Sequence, residues 1–119
     1  MDVELLSPQE LPEWFVYPED FLNALQSEVH NIGAAWQFLH GKWLRVRYSG
    51  LKKRFPSRDL VPFARRLDCD DIACWERSSF PSVHVVHDFC APGWEERQSF
   101  PSFLAWVSDA QKEARDFDD

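Results

Sequence analysis

Residues 60–76, LVPFARRLDCDDIACWE, place Asp68, Asp70, Asp71 and Cys69 between two apolar runs. The reading of this stretch decides the fold, because the carboxylates either build a site or only turn the chain. A calcium loop needs glycine at its sixth position and glutamate at its twelfth. Counted from Asp68, those positions hold Ala73 and Ser79. A D-x-D phosphoryl-transfer nucleophile sits at the end of a buried apolar strand, whereas Phe-Ala-Arg-Arg-Leu precedes it here. Aspartate is a favoured turn residue, since its side chain bonds its own backbone and tolerates unusual φ and ψ. The stretch therefore reads as a hairpin, with strands at 60–67 and 72–76 and a tight acidic turn between them. Pro62 predicts that the first strand lies at an edge or is just beginning there.

Outward from the hairpin, RSSFPS at 77–82 is a turn-rich connection and VHVVHDF at 83–89 a third strand, which completes an antiparallel meander. A loop, CAPGWEERQ, leads to a helix over about 101–115, where Phe103, Val107, Ala110 and Ala114 recur at helical spacing and Leu104 widens the stripe. Before the hairpin, a helix is expected over 42–54. Leu44, Tyr48, Leu51 and Phe55 mark its inner stripe and Lys and Arg its flanks. Gly50 weakens that helix by about 1 kcal/mol relative to alanine, and Pro56 ends it. An earlier helix opens at Tyr17-Pro18-Glu19-Asp20, because proline suits the first turn and acids favour the positive end of the dipole. Phe21, Leu22, Leu25 and Val29 should face the core. Residues 31–41 have no clear period, although Trp36, Phe38 and Leu39 should be packed. The expected class is α+β: an antiparallel or mixed sheet with a central three-strand meander, packed by helices that include a C-terminal one.

The composition bounds the function. A chain of 119 residues that is 45% hydrophobic and 28% charged is expected to form one globular domain over residues 1–119. Aromatic residues make up 15%, including six Trp and ten Phe, so rings must supply much of the packing. No apolar run approaches the ~20 residues of a membrane helix. The opening MDVELLSPQELPEW lacks the basic and apolar parts of a signal peptide, and Cys69, Cys74 and Cys90 are an odd number. A cytoplasmic protein with reduced thiols is expected.

The net charge of −7 is unevenly spread. Residues 42–66 carry nine of the thirteen bases and a single acid, Asp59, so a basic centre is flanked by acidic ends that finish in Asp116, Asp118 and Asp119. Folding either brings the two signs together or leaves opposite patches for partners. The basic segment is a weak nucleic-acid signal, because phosphate binding favours a positive overall field and these bases also read as flanks of an amphipathic helix.

His84, His87, Asp88 and Cys90 raise the question of a zinc site or a Cys-His-Asp nucleophile. Strand side chains alternate, so His84 and His87 point to opposite faces, and Cys69 and Cys74 lack C-x-x-C spacing. No catalytic residue, metal or cofactor is expected from this set. In APGWEER, Trp94 either folds back onto the core or stays exposed, rimmed by Glu95 and Glu96, as a hot spot for a basic protein.

The order LVPFAR, acidic turn, Asp71-Ile72-Ala73-Cys74-Trp75 resembles the central hairpin of the SUKH superfamily, the proteins related to the yeast Smi/Knr regulators. Val85-Val86-His87-Asp88-Phe89, Pro92-Gly93-Trp94-Glu95 and Ser102-Phe103-Leu104-Ala105-Trp106 look like its closing strand, loop and C-terminal helix. The resemblance spans about 42–115, while the first forty residues depart from the family's longer N-terminal helix. It implies a non-enzymatic domain, and many bacterial members are immunity proteins that bind a cognate toxin in the cytoplasm. A regulatory or scaffolding interaction domain of the same fold is the alternative. The family carries no shared catalytic residues, and its binding surface varies. With an acidic surface, the partner expected is a toxin protein such as a basic nuclease, met by Asp68, Asp70, Asp71, Asp88, Trp94, Glu95 and Glu96.

Overall fold

Asp71–Glu76 alternates between two apolar environments, and that alternation sets the layers of the molecule. Ala73 and Trp75 join a large cluster on one face of the sheet, while Ile72 and Cys74 join a smaller one on the other. A strand covered on both faces reads as a continuous apolar run, which is why DIACW shows no polar alternation. A computed structural model describes residues 3–27 and 32–118, with side chains at the C-terminal end through residue 115. In chain order the elements are α1 (Glu19–Gln26), β1 (Trp36–Phe38), α2 (Gly41–Arg54), β2 (Leu60–Arg66), β3 (Asp71–Glu76), β4 (Val83–His87), β5 (Glu96–Phe100) and α3 (Phe103–Asp118). The strands form one sheet in the order β1-β2-β3-β4-β5, and every neighbouring pair is antiparallel. The fold is α+β with a C-terminal helix.

The large cluster is built from rings. Phe63 lies 4.4 Å from Trp75, and Phe21 of α1 meets Phe63, Trp75 and Phe103 edge-on at 5.0–5.7 Å. Edge-to-face contacts of this kind contribute about 0.5–1.5 kcal/mol each beyond area burial. Ser102 caps α3, its Oγ accepting the Ala105 N–H at 3.1 Å. This places Phe103, Trp106 and Ala110 in the core. On the opposite face, Leu51 and Phe55 of α2 cover Leu60, Ile72, Cys74 and Val86. The irregular arm before α1 adds Leu6 and Phe15 to the large cluster. Tyr17 accepts the Leu6 N–H at 3.2 Å, and burial pushes its phenol up to about 12.

The expected hairpin, third strand, α2 stripe and C-terminal helix are all present, with several differences at the margins. The sheet has two further strands. β1 is three residues of alternating burial, too short to show a period, and β5 (ERQSF) is an exposed polar edge in a segment that reads as loop. Pro62 lies in a strand with neighbours on both sides, at a bulge. β1 pairs only with residues 64–66, so locally Pro62 faces no strand on that side. Leu22 and Leu67, expected in the core and in a strand, are exposed at 36% and 51%. Val29 lies outside the described residues. The third strand stops at His87, leaving Asp88 and Phe89 in a turn.

Trp75 is fully buried, and its indole N–H finds no hydrogen-bond partner among the described residues. Trp75→Ala should cost about 3–5 kcal/mol in urea unfolding, by emptying the ring cluster. Trp75→Phe should cost much less, because it also removes a buried orphan donor worth about 1–3 kcal/mol. Equal losses for the two variants would contradict this account of the core.

Candidate functional site: an aromatic cleft over a buried aspartate

Three positions on one side of α2, Arg47, Gly50 and Arg54, follow each other at helical spacing and point towards the end of β4. Asp88 waits there with no solvent exposure. Its Oδ1 accepts Arg54 Nε at 2.6 Å and the Phe89 N–H at 2.8 Å. Its Oδ2 accepts Arg54 Nη2 at 2.7 Å and Arg47 Nη1 at 3.0 Å. The Arg54 fork is bidentate, the strongest geometry available to a guanidinium–carboxylate pair. Burial works to raise the Asp88 pKa, but the bonds from Arg54, Arg47 and the Phe89 N–H outweigh it and hold the carboxyl below its ordinary value. Gly50 makes the fork possible: a Cβ there would lie 2.4 Å from Arg54 Nη2. The Asp88 N–H in turn donates to the Asp70 carbonyl at 2.9 Å, tying the end of β4 to the hairpin turn.

Phe89 sits beside the clamp in the left-handed region, with φ of 64° and its ring 60% exposed. The Arg54 guanidinium lies 4.0 Å from the ring centre and that of Arg47 5.6 Å. A bulky residue in this conformation costs about 1–3 kcal/mol and persists only where its surroundings over-determine it. Here the Asp88 Oδ1 bond to its own N–H and the two cations on its ring supply that constraint. The exposed ring forms one wall of a cleft of about 590 Å³ between α2 and the β1–β2 edge of the sheet. Trp43 and Val46, 68% and 52% exposed, form the wall on α2, and Phe38, Leu39 and His40, from the end of β1 and the link to α2, line the cleft as well. Arg65 and Gln37, paired in register across β1 and β2, complete it.

The acids expected as a contact surface are mostly engaged inside the molecule. The expected exposure of Asp88 and Glu95 is overturned, since both are buried. Arg58 collects Glu76, Glu95 and Glu96 at 2.8–3.0 Å. Burial opposes the ionised form of Glu95, but the backbone N–H groups of Glu95 and Gly93, together with Arg58, lower its pKa below the ordinary value. Asp68 pairs with Arg66, which also holds Glu113, and Asp71 meets His87 at 2.8 Å and Arg97 at 3.4 Å. Asp70 is exposed. Trp94 does not fold back onto the core; it is 81% exposed, with Glu95 turned away from it to Arg58.

His84 and His87 lie on opposite faces of the sheet, and the set His87, Asp88 and Cys90 does not converge. His87 faces Asp71, Asp88 faces the arginines, and the Cys90 thiol donates to the His87 carbonyl at 3.1 Å. A different relay emerges, with Ser79 Oγ 2.6 Å from His84 Nε2 and His84 Nδ1 3.0 Å from Glu96. It has the outline of a nucleophile, base and orienting acid. Ser79 and His84 do not line the cleft, however, and Glu96 is shared with Arg58, so the relay fastens the β3–β4 connection to β5. The cleft residues Trp43, Val46 and Arg65 were not singled out from sequence. The available signal was that Trp43 and Val46 are apolar yet stand off the inner stripe of α2. Comparison with protein-family models, curated proteins and solved structures returned no match.

Asp88→Asn should cost about 3–5 kcal/mol in chemical denaturation, because it leaves two part-buried guanidinium groups facing no charge. A carboxylate whose folded pKa is depressed contributes stability that is complete above its unfolded value, ~4, and lost as pH falls through the folded one. Stability of the native chain should therefore fall below about pH 4. The fall should be shallower in Asp88→Asn, with the remainder carried by Glu10, Asp68, Glu76 and Glu95, whose pKa values are also lowered. An equally steep acid fall in the variant would contradict the clamp.

Proposed function

We propose that this chain is a non-enzymatic protein-binding domain of the immunity type, a SUKH-like protein that engages and neutralises a cognate bacterial toxin domain in the cytoplasm. One observation carries the reading: Trp43, Val46 and Phe89 are held out of the core around a single cleft, and Phe89 is kept there against its backbone preference. Exposed aromatic and aliphatic side chains gathered at one place mark an interaction surface. Aromatic residues and arginine are the types that dominate binding hot spots. The resemblance of the β2–β3 hairpin and its flanking segments to the SUKH pattern supports the immunity class, as does the small acidic chain. The contact surface this reading favours is the cleft rather than the acidic turn, because most of those acids already have partners.

Co-expression with the product of the adjacent gene, scored by rescue of growth and co-purification, tests the reading. The native chain should rescue and co-purify. Trp43→Ala with Phe89→Ala should lose both while keeping the native circular dichroism spectrum, with affinity down at least about thirtyfold. Full rescue by the double variant would overturn the cleft as the contact surface. Capture of a host regulatory protein in place of a toxin would overturn the immunity reading in favour of a scaffolding domain.

A further inference from the structure

We infer that the cleft receives an acidic segment of the partner protein, in which a carboxylate stands next to an aromatic or aliphatic side chain. The inference rests on reading the chain as a protein-binding domain, and it specifies the chemistry of what binds. Three guanidinium groups, Arg47, Arg54 and Arg65, line the cleft, and among the described residues no carboxylate does. Asp88 beneath them has both oxygens occupied and no exposure, so it neutralises one positive charge and offers nothing to a ligand. Arg65 bonds only a neutral acceptor, Gln37 Oε1 at 3.2 Å, and has no ion pair among the described residues. The cleft therefore retains an excess of positive charge in a molecule whose net charge is −7. The first turn of α2, whose Trp43 forms the rim, carries no acid and no side-chain cap, which adds to the positive potential there.

The apolar half of the occupant follows from the walls. Trp43, Val46 and Phe89 present exposed hydrophobic surface next to these cations. A volume of about 590 Å³ lies within the ~300–1,000 Å³ range of sites that enclose a compact ligand. One anchoring ring or aliphatic chain flanked by carboxylates satisfies both halves. Arginine pairs such carboxylates through bidentate bonds while its plane stacks on the aromatic ring. A nucleic acid would also meet cations and rings here. Its affinity, however, depends on neutralising several consecutive phosphates in a favourable overall field, and this acidic chain offers about two uncompensated charges at the cleft.

The test is a titration of the full isotope-labelled chain, read at the Trp43 indole N–H and the Phe89 amide. The probes are the end-blocked peptides Gly-Glu-Phe-Asp-Gly, Gly-Gln-Phe-Asn-Gly and Gly-Lys-Phe-Lys-Gly, and a short oligothymidylate. The acidic peptide should shift both signals and bind about tenfold more tightly than its amide counterpart. Added salt should weaken it, and Arg65→Gln should weaken it about three- to tenfold with an unchanged unfolding midpoint. Equal binding of the amide peptide, stronger binding of the lysine peptide or the oligonucleotide, or no shift with the acidic peptide would each overturn the inference. The co-expression assay separates the two failures. If the acidic peptide fails while Trp43→Ala with Phe89→Ala still loses the partner, only the acidic-segment inference falls. If that double variant keeps the partner, the cleft reading falls with it.

Discussion

A carboxylate removed from water must be paired, and the requirement at Asp88 organises much of this molecule. Removing one member of a buried pair costs about 3–5 kcal/mol, so the position of Asp88 at the end of β4 fixes the face that α2 presents to the sheet. Arg47 and Arg54 must both reach it, and Gly50 must leave room between them. The bond from Phe89 N–H to Oδ1 turns the next residue into the left-handed region, and its ring is directed outward under the same guanidinium groups. A single buried charge thus joins the packing of α2 to the shape of the cleft.

The charge distribution along the chain acquires a physical meaning in the folded state. The basic centre and the acidic ends largely meet each other: Arg45 takes Glu4 and Glu10, Arg58 takes Glu76, Glu95 and Glu96, and Arg66 takes Asp68 and Glu113. The more exposed of these pairs, Arg45 with Glu4 and Arg66 with Asp68, contribute only about 0–1 kcal/mol each. The effect of the pairing is on what remains available: the turn acids are mostly occupied, and Arg65 is left facing the cleft without a counter-charge among the described residues. An acidic protein can therefore present a locally basic, aromatic surface.

The parts of the fold legible from sequence are those with a long period or a distinctive turn. Leu44, Tyr48, Leu51 and Phe55 are four or three residues apart, and all are buried. The DCDD turn punctuates two apolar runs that do pair as β2 and β3. β5 was illegible because ERQSF lies exposed on an edge and needs no apolar alternation, and β1 because three residues cannot show a period. The site was harder still. Asp88 reads as a surface acid at a strand end, since nothing local reveals that Arg47 and Arg54 arrive from 41 and 34 residues away. Pairing of a buried charge is a tertiary fact, and only the off-stripe apolar residues Trp43 and Val46 hinted at the surface it supports.

The central claim is that the Asp88 clamp holds Phe89 in place at the rim of the cleft. Amide hydrogen exchange at Phe89 tests it most directly, because this N–H belongs to an exposed residue in a turn yet donates to a fully buried carboxylate. The account predicts exchange as slow as that of the neighbouring strand residue Val86, with opening tied to release of the clamp. Exchange at the rate of the adjoining exposed loop residue Ala91 would show that the clamp does not hold the ring, and would contradict the account.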